Sequence, residues 1–340
     1  LDLLLRGRPG TRRLVGGGVG IAIAVVAFAV VLPRIADYRD VWDVVSAMSW
    51  ADLVALGVAV LVNLVTFAPP WMAALPGLRF RQAMAITQAS TAIATVAPAG
   101  AAVGVAGSFA MLRTWGFASR PTGLAVAVVG VWNQLANLTF PVVALALLLL
   151  QKQDHPLLRT VAIAGLAGLV VVLGGFGLGL SSEAWAHRFG DWAARQVGRV
   201  RRKPVGWSGA SFARFREEAL RLLRRRWHVL TLATLAGHLT VFAVLLVSLR
   251  AVGVPASDVS AVEAFAAWAL IRLVGAFPIT PAGVGIVEVG LTTLLVGFGG
   301  DNADVVAAVL IYRVLTVLPT LLLGGLAFAT WRRHAPSPAR

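Results

Sequence analysis

Cysteine is absent from the 340 residues. That excludes disulfides, thiolate nucleophiles and cysteine-based metal sites, and it says nothing of redox compartment. Charge is scarce as well. Asp, Glu, Lys and Arg make up 13% of the chain against 58% hydrophobic residues, and mean hydropathy is +0.82. A soluble domain keeps a largely polar surface, and a disordered chain is poor in apolar residues. Both classes are excluded, and an integral membrane protein is expected. Acidic residues are half as many as basic ones, 15 against 30, leaving a formal charge of +15. In a membrane protein that excess belongs to cytoplasmic loops rather than to a nucleic-acid partner. The chain begins at Leu1 instead of Met, as a processed or excised form would.

Long apolar runs are what the sequence does have. A spanning helix needs about 20 mostly apolar residues. Leu14–Leu32, Ala51–Leu75, Leu157–Leu180, Trp227–Leu249 and Ala303–Thr330 meet that length, and Arg120–Leu150 is a longer sixth. The sixth carries Asn133, Gln134, Asn137 and Pro141, so a bend or break is expected there. Leu14–Leu32 follows four arginines but lacks a small-residue cleavage site, and is read as an uncleaved span.

Two further regions are apolar but interrupted. Gln82–Leu112 breaks at Pro98-Ala99-Gly100, and Ala261–Gly297 breaks at Pro278-Ile279-Thr280-Pro281-Ala282-Gly283. Each break leaves pieces of about 14–17 residues, or about 21–25 Å of helix, against a hydrocarbon core of about 30 Å. A re-entrant hairpin and a pair of short tilted spans both fit, and the Pro/Gly chemistry favours the hairpin.

Charge orients the chain. Residues 1–13, 76–81, 113–120, 181–226 and 331–340 hold 4, 2, 2, 12 and 3 Lys or Arg, which is 23 of the 30. The opposite loops hold five, so both termini are expected in the cytoplasm. Each interrupted region must then return to the side it came from. The unit span, span, hairpin, span appears twice with opposite orientation, over about 14–150 and 157–330. An offset of 183 lays Pro98-Ala99-Gly100 on Pro281-Ala282-Gly283, Gly107 on Gly290 and Gly116 on Gly299. An inverted repeat of this kind is a transporter architecture, with the site at the repeat interface near the midplane. The expected fold is an all-α polytopic bundle, with residues 1–340 as a single membrane domain.

In the basic loop 181–226, Trp185, Phe189 and Trp192, then Phe212, Phe215, Ala219, Leu222 and Leu223, form helical stripes among arginines. Such helices suit an anionic leaflet, with protein docking as the alternative. Ile35, Tyr38, Val41, Trp42, Val45 and Met48 read as a surface helix on the outer side. The spacings Gly16/Gly20 and Gly175/Gly179 read as close helix packing.

Ionisable residues inside a membrane usually face a cavity or a partner. Arg272, Glu288 and Arg313 are three such cases. They are read either as an ion pair locking the hairpin to the last helix or as a polar site for a charged headgroup. Thr280 suits an N-cap with Pro281 in the first turn, and Gly283 and Gly285 permit close backbone approach. The first break, at Pro98 and Gly100, has no charge beside it. Its candidates are Thr87, Gln88, Thr91, Ser108, Asn133, Gln134 and Asn137, suited to a partly wet cavity or to gluing helices together. His238 stands alone and reads as a satisfied packing histidine. No metal or cofactor is called for, and no catalytic carboxylate or histidine cluster marks an enzyme.

Pro278-Ile279-Thr280-Pro281-Ala282-Gly283-Val284-Gly285-Ile286-Val287-Glu288, with Ala307 to Arg313 after it, resembles the lysylphosphatidylglycerol synthase transmembrane-domain, or flippase-like, family. Pro278, Pro281, Gly283, Gly285, Glu288 and Arg313 match its pattern. The family usually has Pro-Gly-Gly at Pro281-Ala282-Gly283. Many members carry a charge after the first break, where this chain has Ala101-Ala102-Val103-Gly104. In bifunctional members this domain is thought to move aminoacylated phospholipid between leaflets, while a separate soluble domain makes the lipid. The resemblance therefore implies a translocase-like module in a bacterial-type inner membrane. Its partner would be an anionic or aminoacylated phospholipid, or a polyprenyl-linked lipid. A homo-oligomer or a fused upstream domain would be a further partner. The rivals are a small-solute or ion transporter and a non-catalytic subunit of a lipid-modifying enzyme. No ATP-binding motif is present, so movement would be downhill or ion-coupled.

Overall fold

The computed structural model of the protein describes residues 46–96, 100–151, 156–201, 209–275, 283 and 285–331. Among them are eleven helices and no strand: α1 Trp50–Thr66, α2 Ala68–Ala74, α3 Phe80–Val96, α4 Gly100–Thr114, α5 Ser119–Leu150, α6 Pro156–Ser181, α7 Glu183–Arg201, α8 Gly209–Ala251, α9 Ala261–Gly275, α10 Ile286–Phe298 and α11 Asn302–Thr330. Five stretches are long and apolar enough to cross a membrane: Trp50–Ala74, Ser119–Leu150, Arg159–Leu178, Gly209–Ala251 and Asn302–Thr330. They coincide with five of the six expected spans. Leu14–Leu32, Gly16, Gly20, most of the outer surface helix, Pro98, Thr280 and Pro281 lie outside the described residues.

Local chemistry starts and stops these elements. Ser49 accepts from the Asp52 amide while the Asp52 carboxylate accepts from the Ser49 amide, a capping box that opens α1. Ser260 and Glu263 do the same at α9, and Asp301 caps α11. Pro69 and Pro70 suit the first turn of α2, so the chain resets at Phe67 and continues the same crossing. Pro141 does not break α5, which runs unbroken for 32 residues. A proline has no N–H to give the carbonyl four residues earlier, here that of Asn137. Pro319 sits within α11 in the same way.

Both interrupted regions are antiparallel helix pairs. In α3 and α4, a Cβ on Gly104 would stand 2.7 Å from the Ser90 carbonyl, and one on Gly100 would run into the Ala94 carbonyl. In α9 and α10, Gly275 faces Val287 and Gly290 faces Ile271. Gly107 of α4 likewise faces Ile93 of α3. Left-handed glycines bracket each pair: Gly77 and Gly116 around the first, Gly253 and Gly299 around the second. At Gly116, Gly253 and Gly299 the next amide reaches back to the carbonyl five residues earlier, closing the helix end.

The main core joins α1, α5, α8, α9, α10 and α11. Its centre is aromatic: Trp268 is 2% exposed, stacks on Phe265 and meets Phe140 and Phe242 at ring distances of 5.2 and 5.8 Å. A second core, with Trp71, Trp115 and Trp331, lies at the basic end, where the Trp115 indole donates to the Trp331 carbonyl. The apolar stripe of residues 209–226 differs from the lipid-facing expectation. Those residues are the first part of the 43-residue α8, about 65 Å long at 1.5 Å per residue. Ala219 is fully buried, and Phe215, Leu222 and Leu223 pack on the second core. Protein covers part of that stripe, with Phe212, Phe215, Leu222 and Leu223 half-buried. α7 docks on the same segment, with Asp191 accepting from the Gly209 amide. Gly175 also departs from expectation, since a Cβ there would meet nothing within 4 Å.

Candidate functional site

Arg313 lies near the middle of α11 and is 7% exposed. Its Nε is 2.6 Å from the Glu288 Oε1. The other carboxylate oxygen of Glu288 accepts from the Gly285 amide at 2.6 Å, at the start of α10. One side chain thus closes a helix N-terminus and ties that helix to α11. Gly285 has φ +84° and Gly283 has φ +67°, a region L side chains rarely adopt. Close approach of neighbouring atoms is not the reason for Gly285, since a Cβ there would meet nothing within 4 Å among the described residues. The described helix begins at Ile286 with Gly285 at the N-cap.

Arg272 forms a second group. Its Nε donates to the Asn137 Oδ1 at 3.0 Å, and an Nη donates to the His238 Nδ1 at 2.5 Å. A guanidinium has only donors, so Nδ1 is the acceptor and the imidazole proton sits on Nε2. Nε2 then donates to the Asn133 Oδ1 at 3.0 Å. The guanidinium also lies over Trp268, 5.3 Å from the ring centroid. His238 is 2% exposed and held edge-on by Phe67 and Phe140. It is satisfied, as expected, but it bridges Asn133 of α5 to Arg272 of α9 as well as packing.

Two cavities meet at these groups. The larger, about 510 Å³, runs along α3, α4, α5, α8 and α11, past Thr87, Gln88, Thr91, Ser108, Asn133 and Thr316. The smaller, about 250 Å³, lies among Trp268, Ile271, Val287 and Leu291. Asn137, Arg272, Tyr312 and Arg313 line both. They form a polar partition between the two spaces.

The structure therefore brings together Arg272, Arg313, Asn133 and Asn137, with Gln88 farther along the same wall. Glu288, Gly100, Gly283 and Gly285 line neither cavity. Glu288 acts through Arg313, and the glycines shape the two hairpins. Tyr312 and Trp268 were not candidates from sequence. A tryptophan one helical turn before Arg272 is the sequence signal by which a stacked cation could have been found. Among the described residues no group of three His, Asp or Glu is placed to hold a metal ion.

A search of curated proteins found no match. The family model of the lysylphosphatidylglycerol synthase transmembrane region matches residues 18–324, nearly the whole chain. With five apolar helices long enough to span a membrane, the protein is a multi-pass membrane protein of lipid-related function and belongs to that family.

Proposed function

We propose that the protein is a translocase that moves a phospholipid or lipid-linked headgroup between the leaflets of a bacterial-type inner membrane. The observation that carries the proposal is the pair of cavities meeting at Asn137, Arg272, Tyr312 and Arg313. A headgroup would pass that partition by alternating exposure to each cavity, while its acyl chains stay in lipid. No covalent chemistry is involved.

Several features support two inverted repeats with re-entrant hairpins. α3, α4, α9 and α10 have 17, 15, 15 and 13 residues. At 1.5 Å per residue these are about 20–26 Å, short of a hydrocarbon core of about 30 Å. Both pairs are bracketed by the same left-handed glycine caps. In both, a glycine of the second helix faces an isoleucine of the first. Opposite insertion of the two hairpins follows from the uneven spread of Lys and Arg.

That orientation has a direct check. Ala210, exposed at the start of α8, falls on the cytoplasmic side, and Ala256, exposed between α8 and α9, falls outside. The chain has no native cysteine, so Ala210→Cys and Ala256→Cys each give a single label site. An impermeant maleimide on intact cells is expected to label position 256 and spare position 210. Labelling of 210 from outside refutes the orientation.

Activity is tested with purified protein in liposomes carrying fluorescent phospholipid. Dithionite bleaches only outer-leaflet label in empty vesicles, and is expected to bleach nearly all of it when the protein is present. Arg313→Gln is expected to lose this activity. Protection of the inner-leaflet label in protein-containing vesicles, with release of a trapped solute instead, would favour the solute-transporter alternative.

A further inference from the structure

We propose that the headgroup carried is a net-anionic phosphodiester bearing hydroxyls, and not a cationic aminoacylated one. This rests on the translocase proposal for its biological sense, but its physical basis is the charge and hydrogen-bond character of the cavity walls.

Charge comes first. Arg272, Arg313 and Glu288 sum to one net positive charge at the partition. Glu288 is committed to Arg313 and to the Gly285 amide, and it lines neither cavity. Among the described residues, two guanidiniums and no carboxylate line each space. Among the described residues the partners of Arg272 are neutral: an amide, an imidazole and an indole ring. A guanidinium has five donor N–H groups in a planar fork that fits phosphate. An ion held by neutral groups in a low-dielectric setting attracts a counter-ion strongly. A lysyl or other aminoacyl headgroup would instead add positive charge beside two arginines.

Hydrogen bonding gives the second constraint. The hydroxyls of the larger cavity have mostly spent their protons on their own helices. Thr95 donates to the Thr91 carbonyl, Ser108 to Gly104, Thr316 to Tyr312 and Thr320 to Thr316. What they offer a ligand is lone pairs. Gln88 adds a stronger acceptor. Its Nε2 donates to the Leu64 carbonyl at 3.3 Å, which fixes the amide orientation, because a flipped amide would set two oxygens together. Its Oε1 is then buried in the cavity wall without a partner. An unpaired buried acceptor is costly, and with almost no accessible surface this one meets a ligand donor only when the Gln88 side chain turns toward the cavity. The wall therefore takes O–H donors on one side and a phosphate on the other. Phosphoglycerol and glycosyl-phosphate headgroups have that composition.

The experiment measures binding to the full purified chain by native mass spectrometry in detergent, with phosphatidylglycerol, phosphatidylethanolamine and lysylphosphatidylglycerol in competition. Phosphatidylglycerol is expected to bind about tenfold more tightly than the lysyl lipid, and more tightly than phosphatidylethanolamine. Arg272→Gln is expected to bring the three together, and Arg272→Lys to keep their order. Thr91→Glu places a carboxylate on an exposed wall position without disturbing the Arg272 bonds, and is expected to reverse the order. Equal or tighter binding of the lysyl lipid overturns the proposal, as does phosphatidylethanolamine matching phosphatidylglycerol. If Arg272→Gln does not fold, the Thr91→Glu result decides. Scrambling in liposomes is read separately. Charge-ordered binding with no scrambling of any lipid sinks the translocase and keeps this inference. Scrambling with the lysyl lipid bound as tightly sinks this inference and keeps the translocase.

Discussion

Neutralising Glu288 alone is expected to cost about 3–5 kcal/mol of stability, because it leaves the Arg313 guanidinium buried without its counter-ion. The pair is 2.6 Å apart, and the two side chains are 8% and 14% exposed. Glutamine is the right replacement. Its carbonyl still accepts from the Gly285 amide, so the helix cap survives and the loss isolates the ion pair. Arg313→Gln is expected to cost a similar amount, since it strands the carboxylate. The double Gln variant removes both charges and is expected to recover most of the melting temperature. Transport separates the two residues. Arg313 faces both cavities and Glu288 faces neither. The double variant should therefore fold and stay inactive. A wild-type melting temperature for Glu288→Gln would show that the pair contributes little, and full scrambling by the double variant would remove Arg313 from the site.

Gly324→Val is expected to detach α11 from α3. A Cβ at 324 would fall on the Gln88 carbonyl oxygen and on the Ala92 methyl, which is fully buried. Helices in a membrane gain little from the hydrophobic effect between them, so close approach at small residues is a main source of cohesion. Overpacking of this kind typically costs about 1–3 kcal/mol, and the backbone carbonyl has no rotamer with which to yield. The same interface carries the wall of the larger cavity, Gln88 and Thr91 on one side, Thr316 and Thr320 on the other. Lower melting temperature and changed transport are expected together. Ala92→Gly in the Gly324→Val background should relieve only part of the clash. Gly174→Ala, where nothing lies within 4 Å, should change neither measurement. A Gly324→Val protein as stable as the parent would contradict the packing described.

The spans were legible because apolar length is a property of the sequence alone. That helices are separate on either side of the Pro98 and Pro278 segments, α3 from α4 and α9 from α10, was legible because proline and glycine act locally; Pro98 and Pro278 themselves lie outside the described residues. The partner of Arg313 was within reach, since Glu288 and Arg313 sit on elements joined by a short connection. Arg272 was not placed as easily. Its partners, Asn137 and His238, lie 135 and 34 residues away, and no local rule links α5, α8 and α9. The stripe at Phe212 to Leu223 shows the same limit. Amphipathicity says that one face is covered, and it does not say whether lipid or protein covers it. Glu288 was read either as an ion-pair partner locking the hairpin to the last helix or as a ligand group, and the structure has the ion pair. Its closing of α10 depends on where its second oxygen points, which sequence does not encode directly.

Pro141 gives α5 an uneven stiffness. The Asn137 carbonyl lacks its helical N–H partner, so flexing at that level breaks no hydrogen bond there. Asn137 is also where α5 grips Arg272. The compliant point of the helix and its grip on the partition therefore coincide. α11 is softened likewise, at the Leu315 carbonyl beneath Pro319, two residues past Arg313. α8 holds the opposite side through His238 and carries no proline in 43 residues. Two helices with a missing hydrogen bond at a proline thus stand against one that has no proline, and both gaps lie within two residues of side chains that separate the cavities.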